Sequence, residues 1–168
     1  MGNATAHLFA QAGFKVNLID VNEVQMQKAL TTIDKNLDRQ IAKGSLTAEQ
    51  KTATLANITT VNSIADGVKN AGLVIEAATE NTELKLQIFK KIDEHAPQEC
   101  ILATNTSSIS ITKIAAVTKR PGLVIGMHFM NPVPVMKLVE IINGYATTKE
   151  VSDIIAGLSK QLGKIPCV

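Results

Sequence analysis

The sequence has 168 residues, of which 45% are hydrophobic and 19% charged, so one globular domain of ordinary α/β composition is expected. A net charge of +2 and 3% aromatic residues argue against nucleic acid or an anionic membrane as a partner. No apolar run is long enough to span a bilayer, no secretory signal is visible, and Cys100 and Cys167 lack metal-ligand spacing. We therefore expect a cytoplasmic protein without a metal site, in which both thiols are reduced and buried.

The first predicted elements are a helix over residues 1–13 and a strand over residues 14–20 that ends in Asp20. In a dinucleotide-binding βαβ unit, an acid at this position accepts hydrogen bonds from the adenosine ribose and favours NAD over NADP. Capping of the next helix explains Asp20 equally well.

The glycines that would make this interpretation specific are mostly absent. The full fingerprint is a strand, then G-x-G-x-x-G, then a helix. Only Gly2 is present, at the place of the third glycine, so the first strand and two glycines would precede residue 1. Either the chain is truncated at its N-terminus or the dinucleotide interpretation is wrong.

A helical hairpin is predicted next. Residues 21–43 carry an apolar stripe at helical spacing, formed by Met26, Leu30, Ile33, Leu37 and Ile41, and Gly44 ends the helix. A capping box at 47–50 begins a second helix that runs to about residue 55. The basic residues off the stripe are Lys28, Lys35, Arg39 and Lys43. They are suited to an anionic ligand, or they simply form a solvated face.

The remaining sequence alternates between short apolar strands and helices. Strands are predicted at 58–61, 72–77, 101–104, 123–128, 136–142 and from 165, and helices at 63–68, 80–92, 109–117 and 148–162. The helix at 80–92 is expected to pack through Leu84, Ile88 and Ile92. The polar segments 77–80 and 105–108 follow strands, which is where open α/β sheets bind ligands, although helix capping is an alternative reason for them.

One stretch places a histidine and a carboxylate on consecutive strands. His128 ends one apolar run and Glu140 lies in the next, with Asn-Pro-Val-Pro between them. A strand–turn–strand arrangement makes the two side chains neighbours, and an imidazole beside a carboxylate can move a proton near neutral pH. A core histidine near a solvated glutamate is the alternative.

The segments at 105–112 (NTSSISIT) and 126–140 (GMHFMNPVPVMKLVE) resemble the L-3-hydroxyacyl-CoA dehydrogenase family, and most of all its bacterial 3-hydroxybutyryl-CoA dehydrogenases. The resemblance extends over residues 1–168. It implies a doubly wound, Rossmann-like NAD-binding domain with a mainly parallel sheet and an inserted helical hairpin. In the family a helical domain follows and forms the homodimer. The implied reaction is reversible oxidation of a 3-hydroxyacyl-CoA to a 3-ketoacyl-CoA.

The resemblance also implies roles for individual residues. His128 matches the general base, Glu140 the carboxylate that orients it, Ser107 a serine near the substrate hydroxyl, and Asn131 the asparagine of the motif. The positions that match NAD contacts are Gly2, Asp20, Ala77, Glu80, Lys85 and Asn105. Lys43 matches a basic residue near the CoA moiety, and Asn36 stands where the family often has serine.

Two departures from the family limit what the chain is expected to do alone. The first strand with its glycines and the helical domain are both missing, so apolar surface is left uncovered and the chain is expected to be weakly active or inactive. A fragment or domain that binds nucleotide or CoA without turnover is the alternative. A dehydrogenase of free hydroxy acids is disfavoured by the segment from His128 to Glu140.

Overall fold

The structure is a computed structural model that describes residues 2–168. The chain divides into two compact units, of which the first ends at Gly67 and the second runs from Val68 to Val168. Each unit has its own sheet, with two strands in the first and five in the second. The sequence predicts one sheet, but the strands form two. Among the described residues, the first strand of the chain pairs with a neighbour on one side only, and so does the third, so no strand joins the two sheets.

In the first unit, a parallel strand pair is combined with a helical hairpin. The elements are α1 (Gly2–Gln11), β1 (Val16–Ile19), α2 (Glu23–Ala42), α3 (Ala48–Ala56) and β2 (Ile58–Val61), and the short helix α4 (Ile64–Val68) ends at the boundary. Gly13 and Gly44 have φ angles of 100° and 75°, which residues with a Cβ rarely adopt. These two glycines end α1 and α2 where the sequence predicts.

The predicted hairpin is confirmed, with α2 and α3 as its two helices. Asn22 caps α2 by accepting a hydrogen bond from the Gln25 amide, and the reciprocal capping box at Thr47 and Gln50 begins α3. Of the predicted stripe, Met26, Ile33 and Leu37 are fully buried. The apolar spacing therefore decides which side of α2 faces the core of this unit.

In the second unit, strands alternate with helices. The elements are β3 (Leu73–Glu76), α5 (Thr82–His95), β4 (Ile101–Thr104), α6 (Ile111–Ala115), a 3-10 helix (Pro121–Leu123), β5 (Val124–Phe129), β6 (Leu138–Asn143), α7 (Lys149–Gln161) and β7 (Ile165–Cys167). The strand order is β3-β4-β5-β6-β7, and only the β5–β6 pair is antiparallel. This is the α/β architecture with mainly parallel strands that the sequence predicts.

The core of the second unit lies around its central strands. All four residues of β4 are buried, and in β5 every residue except His128 is buried. A strand that is covered on both faces reads as a continuous apolar run, which is the pattern that located these strands in the sequence. None of the described helices combines the length and hydropathy needed to cross a bilayer.

Two expectations about burial are wrong. The buried residues of α5 are Lys85, Phe89 and Ile92, while Leu84 is 46% exposed. Hydrophobic spacing missed this face because it includes a lysine whose charge is compensated within the fold. Cys100 is buried as expected, but Cys167 is exposed because it lies at the end of the edge strand β7.

Exposed apolar side chains gather in and beside the β5–β6 turn and β7. They are Val135, Met136, Leu138, Ile165 and Val168. The sequence predicts such an uncovered surface, and exposed apolar groups at this density favour association.

Candidate active site

His128 and Glu140 lie directly opposite each other in the antiparallel β5–β6 pair. Residues opposed in this way project from the same face of the sheet. The distance from His128 Nδ1 to Glu140 Oε1 is 3.9 Å, with side-chain exposures of 19% and 46%. The predicted neighbours therefore meet at the surface, slightly beyond hydrogen-bond distance.

The alternation of β5 explains why the histidine faces out of the core. Met127 and Phe129 are buried on the other face of the strand, at 0% and 1% exposure. Because side chains alternate along a strand, His128 is turned away from these two. The alternative interpretation as a core histidine is not supported, since His128 is the one partly exposed residue of β5.

The turn between the two strands contains two backbone hydrogen bonds. The amides of Val135 and Met136 both donate to the carbonyl of Pro132, at 3.0 and 2.9 Å. Val133 is buried, with 2% exposure, whereas Asn131 at the start of the turn is exposed. Asn131 is thus close in sequence to His128 and open to a ligand.

Asn105 connects the end of β4 to the end of β5. Its side-chain oxygen accepts a hydrogen bond from the amide of Phe129 at 2.8 Å, and the residue is 9% exposed. The bond fixes the backbone immediately after His128. Ser107 follows two residues after Asn105 and is exposed, so the loop presents its hydroxyl to solvent.

The loops after β3 and β4 are joined by a carboxylate. Oε2 of Glu80 accepts hydrogen bonds from the hydroxyls of Thr106 and Ser108, at 2.9 and 3.0 Å. The Thr106 hydroxyl also accepts from the amide of Ile109 at 3.1 Å. Ala77, at the start of the first loop, is partly buried. The two predicted ligand segments, 77–80 and 105–108, therefore lie together at the carboxyl edge of the sheet.

A buried ionic network lies beneath these loops. Lys85 Nζ is 2.5 Å from Glu76 Oε1, with side-chain exposures of 1% and 2%. The hydroxyl of Thr104 donates to the same oxygen at 2.9 Å, and the amide of Ala78 donates to the other at 2.8 Å. Since Glu76 and Thr104 are opposite each other in the β3–β4 register, the network locks the ends of both strands.

The cofactor role that the resemblance implies for Lys85 stays a prediction. In this structure, its ammonium contacts Glu76 and lies 3.3 Å from the Thr104 hydroxyl. Both partners are buried, and so is Lys85 itself.

The other predicted binding residues belong to the first unit. Asp20 is partly buried, and its Oδ1 accepts from the amide of Asn22 at 2.9 Å. The residue that caps α2 is Asn22, so helix capping does not account for Asp20. Lys43 is exposed, and Gly2 begins α1. Asn36 is partly buried, and its Oδ1 lies 3.4 Å from Nη1 of Arg39.

Several polar residues around the site had no assigned role in the sequence. They are Glu76 and Thr104 beneath the loops, and Lys164, whose ammonium binds the β5–β6 turn. A glutamate at the end of an apolar strand was the one visible signal, because a buried carboxylate requires a partner.

No three His, Cys, Asp or Glu side chains among residues 2–168 are grouped as a metal site requires.

Comparison with protein families gives a match over the whole chain. The model of the 3-hydroxyacyl-CoA dehydrogenase NAD binding domain matches residues 1–168. The 3-hydroxybutyryl-CoA dehydrogenase of Clostridioides difficile is 43% identical over 166 residues, which are 99% of this chain and 59% of that protein. That of Bradyrhizobium diazoefficiens is 46% identical over 166 residues, with 96% and 56% covered.

A solved structure shows the same fold. The crystal structure of (S)-3-hydroxybutyryl-CoA dehydrogenase from Ralstonia eutropha superposes with a TM-score of 0.96 and 48% sequence identity, over 99% of this chain and 58% of that one. The Rossmann-like α/β prediction is thereby confirmed. The chain spans less than two thirds of the length of each of these three relatives.

Proposed function

The chain belongs to the 3-hydroxyacyl-CoA dehydrogenase family, whose NAD-binding domain it matches over residues 1–168, and we propose that it carries the cofactor-binding and acid–base part of such an enzyme. The proposed reaction is NAD-dependent oxidation of an (S)-3-hydroxyacyl-CoA, with 3-hydroxybutyryl-CoA as the preferred substrate. The pairing of His128 with Glu140 carries the proposal. The name shared by the relatives from C. difficile and B. diazoefficiens supports the substrate.

In the proposed mechanism His128 is the general base. Its imidazole accepts the proton of the 3-hydroxyl as the C3–H bond breaks and the carbonyl forms. Glu140, 3.9 Å away, favours the imidazolium that results and orients the ring. In the reverse direction, the same imidazolium returns the proton to the oxygen.

NAD supplies the acceptor for the hydride that leaves C3. Each unit has polar groups of the kind that such a cofactor binds. Oδ1 of Asp20 accepts one local hydrogen bond, which leaves Oδ2 for a ribose hydroxyl. Ala77, Glu80 and Asn105 stand at the carboxyl ends of parallel strands, where this class of sheet binds nucleotides.

Three further contacts are proposed for the substrate. Ser107, in the loop after β4, and Asn131, in the turn that follows His128, are both exposed and would orient the 3-hydroxyl and the thioester end. Lys43, also exposed, would attract a CoA phosphate, and Asn36 lies about two helical turns before it on the same hairpin.

We propose further that the whole protein acts in the cytoplasm as a homodimer, without a nucleic-acid or membrane partner. Size-exclusion chromatography with light scattering tests the dimer. A monomer at micromolar concentration in the longest natural form of the protein would contradict it.

A second candidate is a domain that binds nucleotide or CoA without turnover, and the share of the relatives that the chain spans favours it for the 168 residues alone. The decisive assay follows NADH consumption with acetoacetyl-CoA, for this chain and for a full-length relative side by side. We expect little or no turnover from the chain. Turnover equal to that of the relative would contradict this expectation, and titration calorimetry with NADH and with CoA would show whether binding remains.

A further inference from the structure

Lys164 is a buried lysine with an unusual set of partners. It lies between α7 and β7, directly after Gly163, and is 7% exposed. Its Nζ donates hydrogen bonds to the carbonyl oxygens of Val133 and Met136, at 2.5 and 2.8 Å. Both carbonyls belong to the turn that joins the strand of His128 to the strand of Glu140.

The ammonium has no carboxylate among the ion pairs of residues 2–168. Burial lowers the pKa of Lys164, and the positive charge of Lys137 lowers it further. A buried cation that is hydrogen-bonded only to carbonyl oxygens lowers the stability of the fold relative to an apolar side chain of the same length. Stability therefore does not explain a lysine at this position, whereas the hydrogen bonds that its ammonium donates to the turn do.

The turn determines which face of the sheet Glu140 occupies. Side chains alternate between the two faces of a sheet along a strand. A shift of one residue in the register of β6 would therefore turn Glu140 to the other face of the sheet, away from His128. The ammonium ties two carbonyls of the turn to the segment before β7, and the amide of Ile165 donates to the carbonyl of Lys137 at 2.8 Å. In the β6–β7 register that follows, Glu140 is opposite Cys167.

We infer that Lys164 is a positioning residue, whose ammonium fixes the turn and thereby keeps Glu140 opposite His128. The inference rests on the proposed function, in which these two side chains transfer the proton. Lys164 acts through Glu140 and touches neither substrate nor cofactor in this role.

The first test is a double-mutant cycle on kcat, measured in the longest natural form of the protein with variants Lys164→Met, Glu140→Gln and both together. If Lys164 acts through Glu140, Lys164→Met lowers kcat by about tenfold and adds nothing further to Glu140→Gln. The Kd for NADH stays unchanged. Independent, multiplying effects would overturn the inference. Lys160→Met is the matched control, since Lys160 is exposed on α7 and should leave kcat unaltered.

The second test is independent of turnover, and its first part uses the wild type alone, so it does not depend on how well a variant folds. In ¹⁵N NMR of the wild-type chain, the ammonium protons of Lys164 should exchange with water much more slowly than those of Lys160, because two of them are hydrogen-bonded and buried. Exchange as fast as that of Lys160 would overturn the inference. In Lys164→Met, the ring nitrogen shifts of His128 should move towards those of Glu140→Gln.

The two tests separate failure of this inference from failure of the proposed function. If His128→Gln and Glu140→Gln leave turnover intact, the proposed acid–base pair is wrong. If both variants slow turnover while Lys164→Met has no effect, the pair stands and the inference about Lys164 is wrong.

Discussion

The two units hold their proposed functional side chains in different ways. In the second unit, the residues beneath the site are buried and bonded to each other, as in the contact of Lys85 with Glu76. In the first unit, Asp20 has one local hydrogen bond and Lys43 is exposed on the surface. Proton and hydride transfer require positions held within fractions of an ångström, whereas charge attraction to a ligand tolerates motion. We therefore expect changes to the acid–base pair of the second unit to act mainly on rate, and changes to Asp20 or Lys43 of the first unit to act mainly on affinity.

The largest expected effect is on rate, from His128→Gln in the second unit. Loss of a general base should lower kcat by about 10²- to 10⁴-fold while leaving the Kd for NADH unchanged. Steady-state kinetics in the longest natural form of the protein, with calorimetry for NADH, measure both quantities. His95→Gln is the matched control, because His95 is exposed at the end of α5 in the same unit. A His128→Gln variant that kept its rate would rule out the proposed base.

The next effect is on stability and tests the buried network. Lys85→Met leaves the Glu76 carboxylate buried without its cation, which should lower the free energy of unfolding by about 3–5 kcal/mol. Urea unfolding followed by circular dichroism measures this change. Lys90→Met, at an exposed position of the same helix, should cost far less.

The double variant Lys85→Met/Glu76→Leu sharpens the interpretation of this result. It removes the uncompensated charge as well and should recover most of the lost stability. A Lys85→Met variant of normal stability with weakened NADH binding would instead favour the direct cofactor contact that the resemblance implies.

Asp20→Asn in the first unit is expected to change affinity more than rate. Because the variant lacks the charge of the carboxylate, its affinity for NADH should fall by about 10- to 100-fold, which is the contribution expected of one hydrogen bond to a charged group. Discrimination against NADPH should also weaken, since the carboxylate no longer repels a 2′-phosphate. Fluorescence titration with both nucleotides measures these changes, with Asp66→Asn, exposed in the same unit, as control. A larger effect on kcat than on Kd would contradict the division of roles between the units.

The smallest effect concerns the pH dependence of stability in the first unit. His7 is 4% exposed, and burial lowers its pKa from the usual 6.5, partly opposed by the hydrogen bond with Gln11. The unfolded chain then binds the proton more readily than the folded chain. The contribution of neutral His7 to stability is therefore fully present above pH 6.5 and is lost as the pH falls through the lowered pKa. Urea unfolding between pH 5 and 7.5 should show a flatter profile for His7→Gln than for the wild type. Parallel profiles would contradict this.

The elements were predictable because their signals are local. The apolar stripe of α2, the capping box at Thr47 and the strand at Ile101–Thr104 all lie where the sequence predicts them. Each depends on side-chain periodicity or on hydrogen bonds between residues a few positions apart. The pairing of His128 with Glu140 was predictable for the same reason, since one short turn joins their strands.

What the sequence alone determined is therefore the order of elements, the placement of His128 and Glu140 on two strands joined by a turn, and the family to which the motifs belong. Only the tertiary structure decided which polar residues are buried, because the partners are distant along the chain. Lys85 meets Thr104 from α5, and Lys164 reaches back to the carbonyls of Val133 and Met136. A lysine is expected at the surface unless such a partner is present, and no periodicity reveals the partner. The exposure of Cys167 was decided in the same way, by its place on the edge strand β7.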